Sequence, residues 1–119
     1  MSKVIKLKKG LDIKLKGEAE NLVKNIERCD FYAVKPTDFR LLTPKLAVKA
    51  GDQVKAGDVL FINKYRPEVK FTSPVSGTVE AVTRGERRKL LEVVVKADNQ
   101  IQYRDFGATD VNKLSRNEI

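Results

Sequence analysis

Histidine is absent from the 119 residues, and cysteine occurs once, as Cys29. Without histidine the chain cannot build a Ser-His-Asp triad, and one cysteine forms neither an internal disulfide nor a cysteine-based zinc site. We therefore interpret Cys29 as structural or incidental. No run of about 20 apolar residues predicts a membrane-spanning helix. The basic start, MSKVIKLKKG, lacks the apolar centre of a signal peptide.

The composition indicates one basic, folded domain. Lys and Arg number 24 against 16 Asp and Glu, for a net charge of +8. Leu, Ile, Val and Phe together contribute 36 of the 119 residues, or about 30%. Highly charged chains that stay disordered typically contain less than about 20% of these residues. A pI of about 9.7 leaves a small RNA-binding β-barrel as an alternative. Few aromatic residues are interleaved with the predicted strands, which argues against a base-stacking surface.

The first 26 residues carry two weak structural signals. Apolar and charged residues alternate over 5–7 and 11–15, on either side of a break at Lys9–Gly10, and this predicts two short strands. The apolar spacing over 22–26 predicts one or two helical turns. We interpret the lysine-rich face of residues 3–16 as solvated, with contact to anionic lipid or an acidic partner as the alternative.

From residue 31 onward, short apolar or alternating segments recur between Gly and Pro breakers. This spacing predicts a mainly β protein, a small barrel or sandwich with short helical turns at its edges. A turn is predicted over TDVNKL, capped by Thr109 or Asp110. The predicted core comprises Val48, Val54, Leu60, Ile62, Val69, Phe71, Val79 and the strand Val93–Val95.

One arrangement of motifs is more specific. The pattern V-x-x-G-D-x-V-x-x-G-D-x-L spans residues 48–60, and S-P-x-x-G-x-V follows at 73–79. Glycine supplies positive φ in tight turns, and aspartate bonds nearby backbone groups. We therefore interpret Asp52 and Asp58 as turn residues rather than catalytic carboxylates. The whole arrangement resembles the barrel-sandwich hybrid of biotinyl and lipoyl domains.

That resemblance raises the question of a covalently modified lysine. In carrier domains the lysine stands seven residues before the Ser/Ala-Pro pair, and here Arg66 occupies that position, followed by Pro67. Arginine stays protonated and cannot be acylated as an amine, and proline has no N–H. Lys64 and Lys70 are off register. We predict a hairpin tip at Lys64–Pro67 that carries no prosthetic group; a non-modified carrier-like domain is one alternative function.

Longer stretches narrow the resemblance. KKGLDIKLKG (8–17), RPEVKFTSPVSGTV (66–79) and RGERRKLLEVVV (84–95) are similar to the N-terminal domain of the A subunit of the sodium-translocating NADH:quinone oxidoreductase. That protein is distantly similar to the C subunit of the bacterial Rnf complex. One departure is Leu41, where the family pattern has glycine, and it leaves the conformation of that loop open.

The resemblance implies a peripheral subunit on the cytoplasmic face of the bacterial inner membrane, in a multisubunit enzyme that oxidises NADH, reduces ubiquinone and moves Na⁺. The complex would use FMN, FAD, riboflavin and an iron–sulfur centre. The A subunit would hold no covalent flavin, and a quinone role ascribed to it maps to no residue here. We expect a non-catalytic assembly domain with no catalytic, cofactor-binding or metal-binding residues.

The same resemblance gives the expected organisation and contacts. Residues 1–100 would form the barrel, and 101–119 would begin the connection to a further domain. The ending SRNEI carries the S-x-x-E capping pattern that opens helices, which predicts a chain that continues. The expected partners are other subunits, without nucleic acid and with only indirect membrane contact. The candidate docking residues surround one basic turn: Arg84, Arg87, Arg88 and Lys89.

Overall fold

The computed structural model describes residues 2–119, and its seven strands all lie between Phe31 and Ala97. Short 3₁₀ turns occur at Pro36–Asp38, Glu86–Arg88 and Val111–Lys113. The predicted mainly β class, with short helical turns at the edges, is confirmed. The strands are β1 (Phe31–Val34), β2 (Pro44–Leu46), β3 (Gln53–Val54), β4 (Val59–Asn63), β5 (Arg66–Thr72), β6 (Gly77–Arg84) and β7 (Leu90–Ala97).

The strands form two antiparallel sheets that share one core. One sheet has the order β1-β7-β6-β3, and the other has the order β2-β4-β5. Both sheets contribute side chains to one buried apolar cluster, so the core lies between them, as in a sandwich. Its buried members are Val54, Leu60, Phe61, Val75, Val79, Leu90, Val93 and Val95.

The predicted core is correct at Val54 and Val79, and on β7 at Val93 and Val95 but not at half-buried Val94; it is partly wrong on β4 and β5. Leu60 is buried as predicted, but Ile62 is only half-buried and Val69 is 40% exposed. Phe61 takes the expected place of Ile62, because the pairing of β4 with β5 shifts register between Val59 and Phe61. Such an irregularity turns two successive side chains inward, which strict alternation cannot predict. The predicted core residues Val48 and Phe71 pack half-buried at the edge of the cluster.

The two strands and the helical turns predicted before residue 27 are wrong. Residues 2–30 contain neither strand nor helix, although the chain bends at Lys8–Lys9, next to the predicted break. The apolar side chains of this segment are exposed, Leu11 at 97%. Alternation identifies a face suited to burial, but no sheet edge among residues 2–119 pairs with it. The radius of gyration, 20.2 Å, exceeds the roughly 14 Å of a compact chain this long.

The C-terminal residues form short capped turns. As predicted, Asp110 caps the turn Val111–Lys113, since its carboxylate accepts a hydrogen bond from the Asn112 N–H at 3.1 Å. The capping contact predicted in SRNEI also forms: the hydroxyl and N–H of Ser115 donate to the Glu118 carboxylate at 2.7 and 2.8 Å. These bonds, led by that of the hydroxyl, lower the pKa of Glu118. The domain division at residue 100 stays a prediction.

Candidate functional site

The two Gly-Asp turns are built alike. Gly51 has a φ of 93° and Gly57 a φ of 98°, a region that glycine enters without steric penalty. Each following aspartate accepts a hydrogen bond from the backbone N–H three residues earlier, at 2.9 Å for Asp52 and 2.8 Å for Asp58. These carboxylates thus close their own turns, which is the role the sequence predicts for them.

Both turns are fastened to the S-P-x-x-G-x-V segment. The Gly51 N–H donates to the Val79 carbonyl and the Gly57 N–H to the Ser73 carbonyl, each at 2.8 Å. The N–H groups of Val79 and Ser73 donate back to the carbonyls of the two aspartates at 2.8 Å. Each Gly-Asp turn is thus held by a reciprocal pair of backbone hydrogen bonds, and we call these two units, Gly51–Asp52 with Val79 and Gly57–Asp58 with Ser73, the clasps.

Gly77 permits the close approach of β6 and β7. Its φ is 158°, and a Cβ built on it would overlap the carbonyl oxygen of Lys96. The register places Gly77 opposite Ala97 on β7. No side chain fits at this position unless the strands separate, so the glycine of S-P-x-x-G-x-V is a packing requirement.

The turn of the β4–β5 hairpin contains two residues, fewer than the four, Lys64–Pro67, that the sequence predicts. Asn63 pairs with Arg66, so Lys64 and Tyr65 alone form the turn, and the Asn63 side chain accepts a hydrogen bond from the Tyr65 N–H at 3.1 Å. Arg66 and Pro67 are the exposed first residues of β5. The arginine at the carrier register therefore stands one position beyond the tip. That this hairpin is unmodified stays a prediction.

All four candidate docking residues lie on the β6–β7 hairpin and are exposed. The Lys89 N–H donates to the Glu86 carbonyl at 3.1 Å, and the Arg84 guanidinium donates to the Arg88 carbonyl at 3.0 Å. The hairpin therefore presents its cations on an ordered turn. With Glu86 it carries a net charge of +3.

The centre of this basic turn has an unusual backbone. Arg87 has φ 53° and ψ 32°, and Arg88 has φ 60°. Two successive positive φ values belong to the type I′ hairpin turn, where Asn-Gly is the preferred pair. For a residue with a Cβ, this left-handed conformation is about 1–2 kcal/mol less favourable than the right-handed one. The hairpin is thus ordered but strained.

The loop between β1 and β2 contains the other strained residue. Leu41 has φ 61° and is 92% exposed, so this residue takes a backbone conformation that suits glycine better than leucine. Next to it, Phe39 packs on Phe71 with a centroid distance of 4.5 Å, and Phe71 stacks on buried Phe61 at 4.9 Å. A column of three aromatic rings therefore runs from the core to this loop.

A cleft of about 250 Å³ lies between this loop and the start of β7. In the sequence, Leu41 is a departure from a pattern and the arginine turn is a charge cluster, and nothing there connects the two. The signal that could have drawn attention to the loop was a branched residue where glycine is expected. The cleft is lined by Pro36, Thr37, Phe39, Arg40, Leu41, Leu42, Pro44, Lys89 and Leu90.

The segment after β7 folds back over the barrel. Tyr103 forms a parallel bridge with Ala56, and Arg104 lies 3.5 Å from the Asp58 carboxylate. The Arg104 guanidinium also sits 5.4 Å from the centroid of Phe106. These contacts cover the second Gly-Asp turn.

Residues 2–119 contain no group of three or more His, Cys, Asp or Glu residues placed to hold a metal ion. None of the helices within this range is long and apolar enough to cross a membrane. Cys29 is exposed, and its N–H donates to the Tyr32 hydroxyl at 3.2 Å.

The paired clasps, the two small sheets and the intervening hairpin define a barrel-sandwich hybrid whose carrier register holds Arg66 instead of lysine. Residues 5–98 match the family described as the NqrA N-terminal barrel-sandwich hybrid domain. Since that match spans most of the 119 residues, the chain belongs to this family.

Curated relatives agree with this assignment. The chain is 37% identical over 118 residues to the A subunit of the Na(+)-translocating NADH-quinone reductase of Yersinia pseudotuberculosis serotype O:1b (strain IP 31758). It is 35% identical to the protein of that name from Glaesserella parasuis serovar 5 and 36% identical to that from Hahella chejuensis. Each alignment covers 98% of this chain but 26% of the relative, so the chain spans about a quarter of their length.

Proposed function

We propose that this chain serves as the N-terminal assembly domain of the A subunit in a sodium-translocating NADH:quinone reductase. The observation that carries the proposal is the 37% identity to such a protein over 98% of the chain. The domain would help build an enzyme that couples NADH oxidation and quinone reduction to Na⁺ transport. It would be peripheral, on the cytoplasmic face of the membrane, and would touch the membrane only through its partners.

In this proposal the chemistry belongs to other parts of the complex. FMN, FAD, riboflavin and the iron–sulfur centre would be held elsewhere, and we assign none of them to a residue here. The two aspartates that most resemble a catalytic pair, Asp52 and Asp58, are occupied by their own turns. What the domain offers instead is a rigid barrel with a charged, ordered hairpin.

The β6–β7 hairpin is the proposed docking surface. Arg84, Arg87, Arg88 and Lys89 are exposed on one turn, with a single carboxylate, Glu86, among them. Exposed charges of one sign favour encounter with an oppositely charged partner, and salt screens them beyond about 8 Å at physiological ionic strength. Association through this turn should therefore weaken as salt is raised.

The test is co-purification of the assembled complex carrying Arg87→Glu and Arg88→Glu in its A subunit. We expect loss of the domain's partners and a smaller salt dependence than in the wild-type complex. The matched control is Lys45→Glu with Lys70→Glu, which makes the same charge change on exposed residues of β2 and β5. Unchanged assembly and quinone reductase activity in the Arg87/Arg88 variant would exclude this turn as a docking site. Tight, salt-sensitive binding of the chain to RNA would instead favour the RNA-binding alternative.

A further inference from the structure

All the non-glycine residues with positive φ in the described chain belong to the two segments beside one cleft. They are Leu41 in the β1–β2 loop and Arg87 and Arg88 in the β6–β7 turn. The cleft itself is lined by Leu41 from one segment and by Lys89 and Leu90 from the other. Residues held in sparsely populated backbone regions cluster at binding and active sites. None of the three is buried, so packing of their side chains does not explain why they occur there.

The floor of this cleft is apolar and held in place. Phe39 lines it and remains 42% exposed, while its ring is fixed against Phe71, which in turn stacks on buried Phe61. Buried Pro36 and Leu90 also line the floor, as do half-buried Leu42 and Pro44. A partner side chain would therefore meet a preorganised surface, which reduces the entropy lost on binding.

The surroundings of the cleft are cationic. Residues 38–41 and 84–89 carry five cationic side chains and two carboxylates. Arg40 and Lys89 line the cleft directly. A ligand that places carboxylates beside an apolar group would match both the charge and the floor.

The size of the cleft argues for a side chain as the buried group. Its volume, about 250 Å³, is below the roughly 300–1,000 Å³ of small-molecule sites. A cavity of about 150 Å³ already holds a benzene ring, so one aromatic or branched side chain fits. A bilayer surface could reach exposed Leu41 but not the floor beneath it, whereas a side chain on an extended peptide reaches both.

We propose that the cleft between the Leu41 loop and the Arg87–Arg88 turn binds an extended acidic segment of another polypeptide, which inserts one apolar side chain. This inference rests on the proposed assembly role and specifies the chemistry of the partner. In this arrangement Leu41 extends the apolar wall of the cleft, and the two arginines pair with the carboxylates that flank the inserted side chain.

The test measures binding of three labelled synthetic peptides to the full 119-residue chain by fluorescence anisotropy at low salt. One peptide is acidic with a central Phe, one is acidic with Ser in its place, and one is basic with the central Phe. Leu41→Gly removes the apolar wall while keeping a residue suited to φ 61°, and Lys89→Glu reverses a charge at the cleft. Leu11→Gly removes an equally exposed leucine outside the cleft and is the matched control.

We expect the acidic Phe peptide to bind the wild-type chain, and the Ser peptide to bind about tenfold more weakly, as for loss of a central interface anchor. Leu41→Gly and Lys89→Glu should each weaken binding of the acidic Phe peptide by a similar factor, and Leu11→Gly should leave its binding unchanged. The basic peptide should bind more weakly still. No binding of the acidic Phe peptide at about 1 mM, equal binding of the Phe and Ser peptides, or indifference to both cleft substitutions would overturn the proposal.

Sedimentation with phosphatidylglycerol vesicles separates the membrane alternative. Vesicle binding that depends on Leu41, without peptide binding, would replace the peptide by a lipid surface and overturn the inference. Binding of the acidic Phe peptide to the wild-type chain, together with unchanged assembly of the complex that carries Arg87→Glu and Arg88→Glu, would leave the cleft standing and refute the proposed docking role of the turn. Loss of assembly in that complex, with no binding of the acidic peptide to the wild-type chain, would do the reverse.

Discussion

Two regions of the barrel, the clasps and the cleft, both contain residues with positive φ, but they place different residue types there. At the clasps, positive φ falls on Gly51 and Gly57. At the cleft, positive φ falls on Leu41, Arg87 and Arg88. Glycine enters this region freely, whereas leucine and arginine lose about 1–2 kcal/mol each. The clasps are therefore relaxed and the cleft end is strained.

This difference separates turn residues that suit their backbone angles from turn residues that do not. The clasp aspartates close their own turns and the clasp glycines adopt angles that they favour. At the cleft, a leucine and two arginines occupy strained backbone positions with their side chains exposed, where the proposed partner would contact them. Folded domains are only about 5–15 kcal/mol more stable than their unfolded chains. Backbone strain at three residues is therefore a substantial fraction of the total stability.

The largest expected loss of stability is at Gly77, in the segment to which both clasps are bonded. Gly77→Ala should lower the free energy of unfolding by about 3 kcal/mol or more, because the new Cβ overlaps the Lys96 carbonyl and the strands must separate. Urea denaturation measures this. Gly10→Ala, which meets nothing within 4 Å, is the control and should change stability by less than about 0.5 kcal/mol. Equal effects at the two positions would show that β6 and β7 do not approach as described.

A smaller loss is expected at the first clasp. Gly51→Ala adds a Cβ that meets nothing within 4 Å, so only the φ of 93° opposes it. The free energy of unfolding should fall by about 1–2 kcal/mol. Gly57→Ala should cost somewhat more, because its Cβ also meets the Phe106 ring at 3.2 Å. A neutral Gly51→Ala would mean that the clasp turn adapts easily, and the contrast with the cleft end would lose its basis.

On the strained side the sign should reverse. Arg87→Asn combined with Arg88→Gly installs the preferred type I′ pair and should raise the free energy of unfolding by about 1 kcal/mol. Thermal denaturation measures the gain. Arg87→Lys with Arg88→Lys, which retains both the charge and the strain, should leave stability within about 0.5 kcal/mol of wild type. A destabilised Asn-Gly variant would contradict the turn assignment.

The sequence predicted best where one local rule decides the structure. The G-D pairs predicted the two tight turns, though not their hydrogen bonds to Ser73 and Val79, and the apolar run LLEVVVK predicted β7. Both predictions succeeded because turn chemistry and strand propensity act over a few residues. The inward placement of both Leu60 and Phe61 escaped prediction because it depends on a register shift between strands. The exposed alternation over 5–15 predicted strands wrongly, because a pattern specifies a face and not the presence of a surface to cover it.

The cleft was hidden from the sequence for a related reason. Leu41 and Lys89 are distant along the chain and meet at one cleft only through the packing of the 36–38 turn against β7. Their residue types gave part of the answer, since a leucine at an expected glycine and an Arg-Arg pair at a hairpin turn both oppose local preference. Conflicts of that kind are expected at functional or strained sites.

The central claim is that the cleft end keeps its side chains at the expense of stability, and the most direct test is the unfolding free energy of Leu41→Gly. At 92% exposure Leu41 has little packing to lose. Relief of about 1–2 kcal/mol of strain, less the entropy that glycine adds to the unfolded chain, predicts a gain of about 0.5–1 kcal/mol. Leu41→Ala, which keeps a Cβ at φ 61°, should show no such gain. A loss of stability in Leu41→Gly, or equal stability of the two variants, would contradict the account.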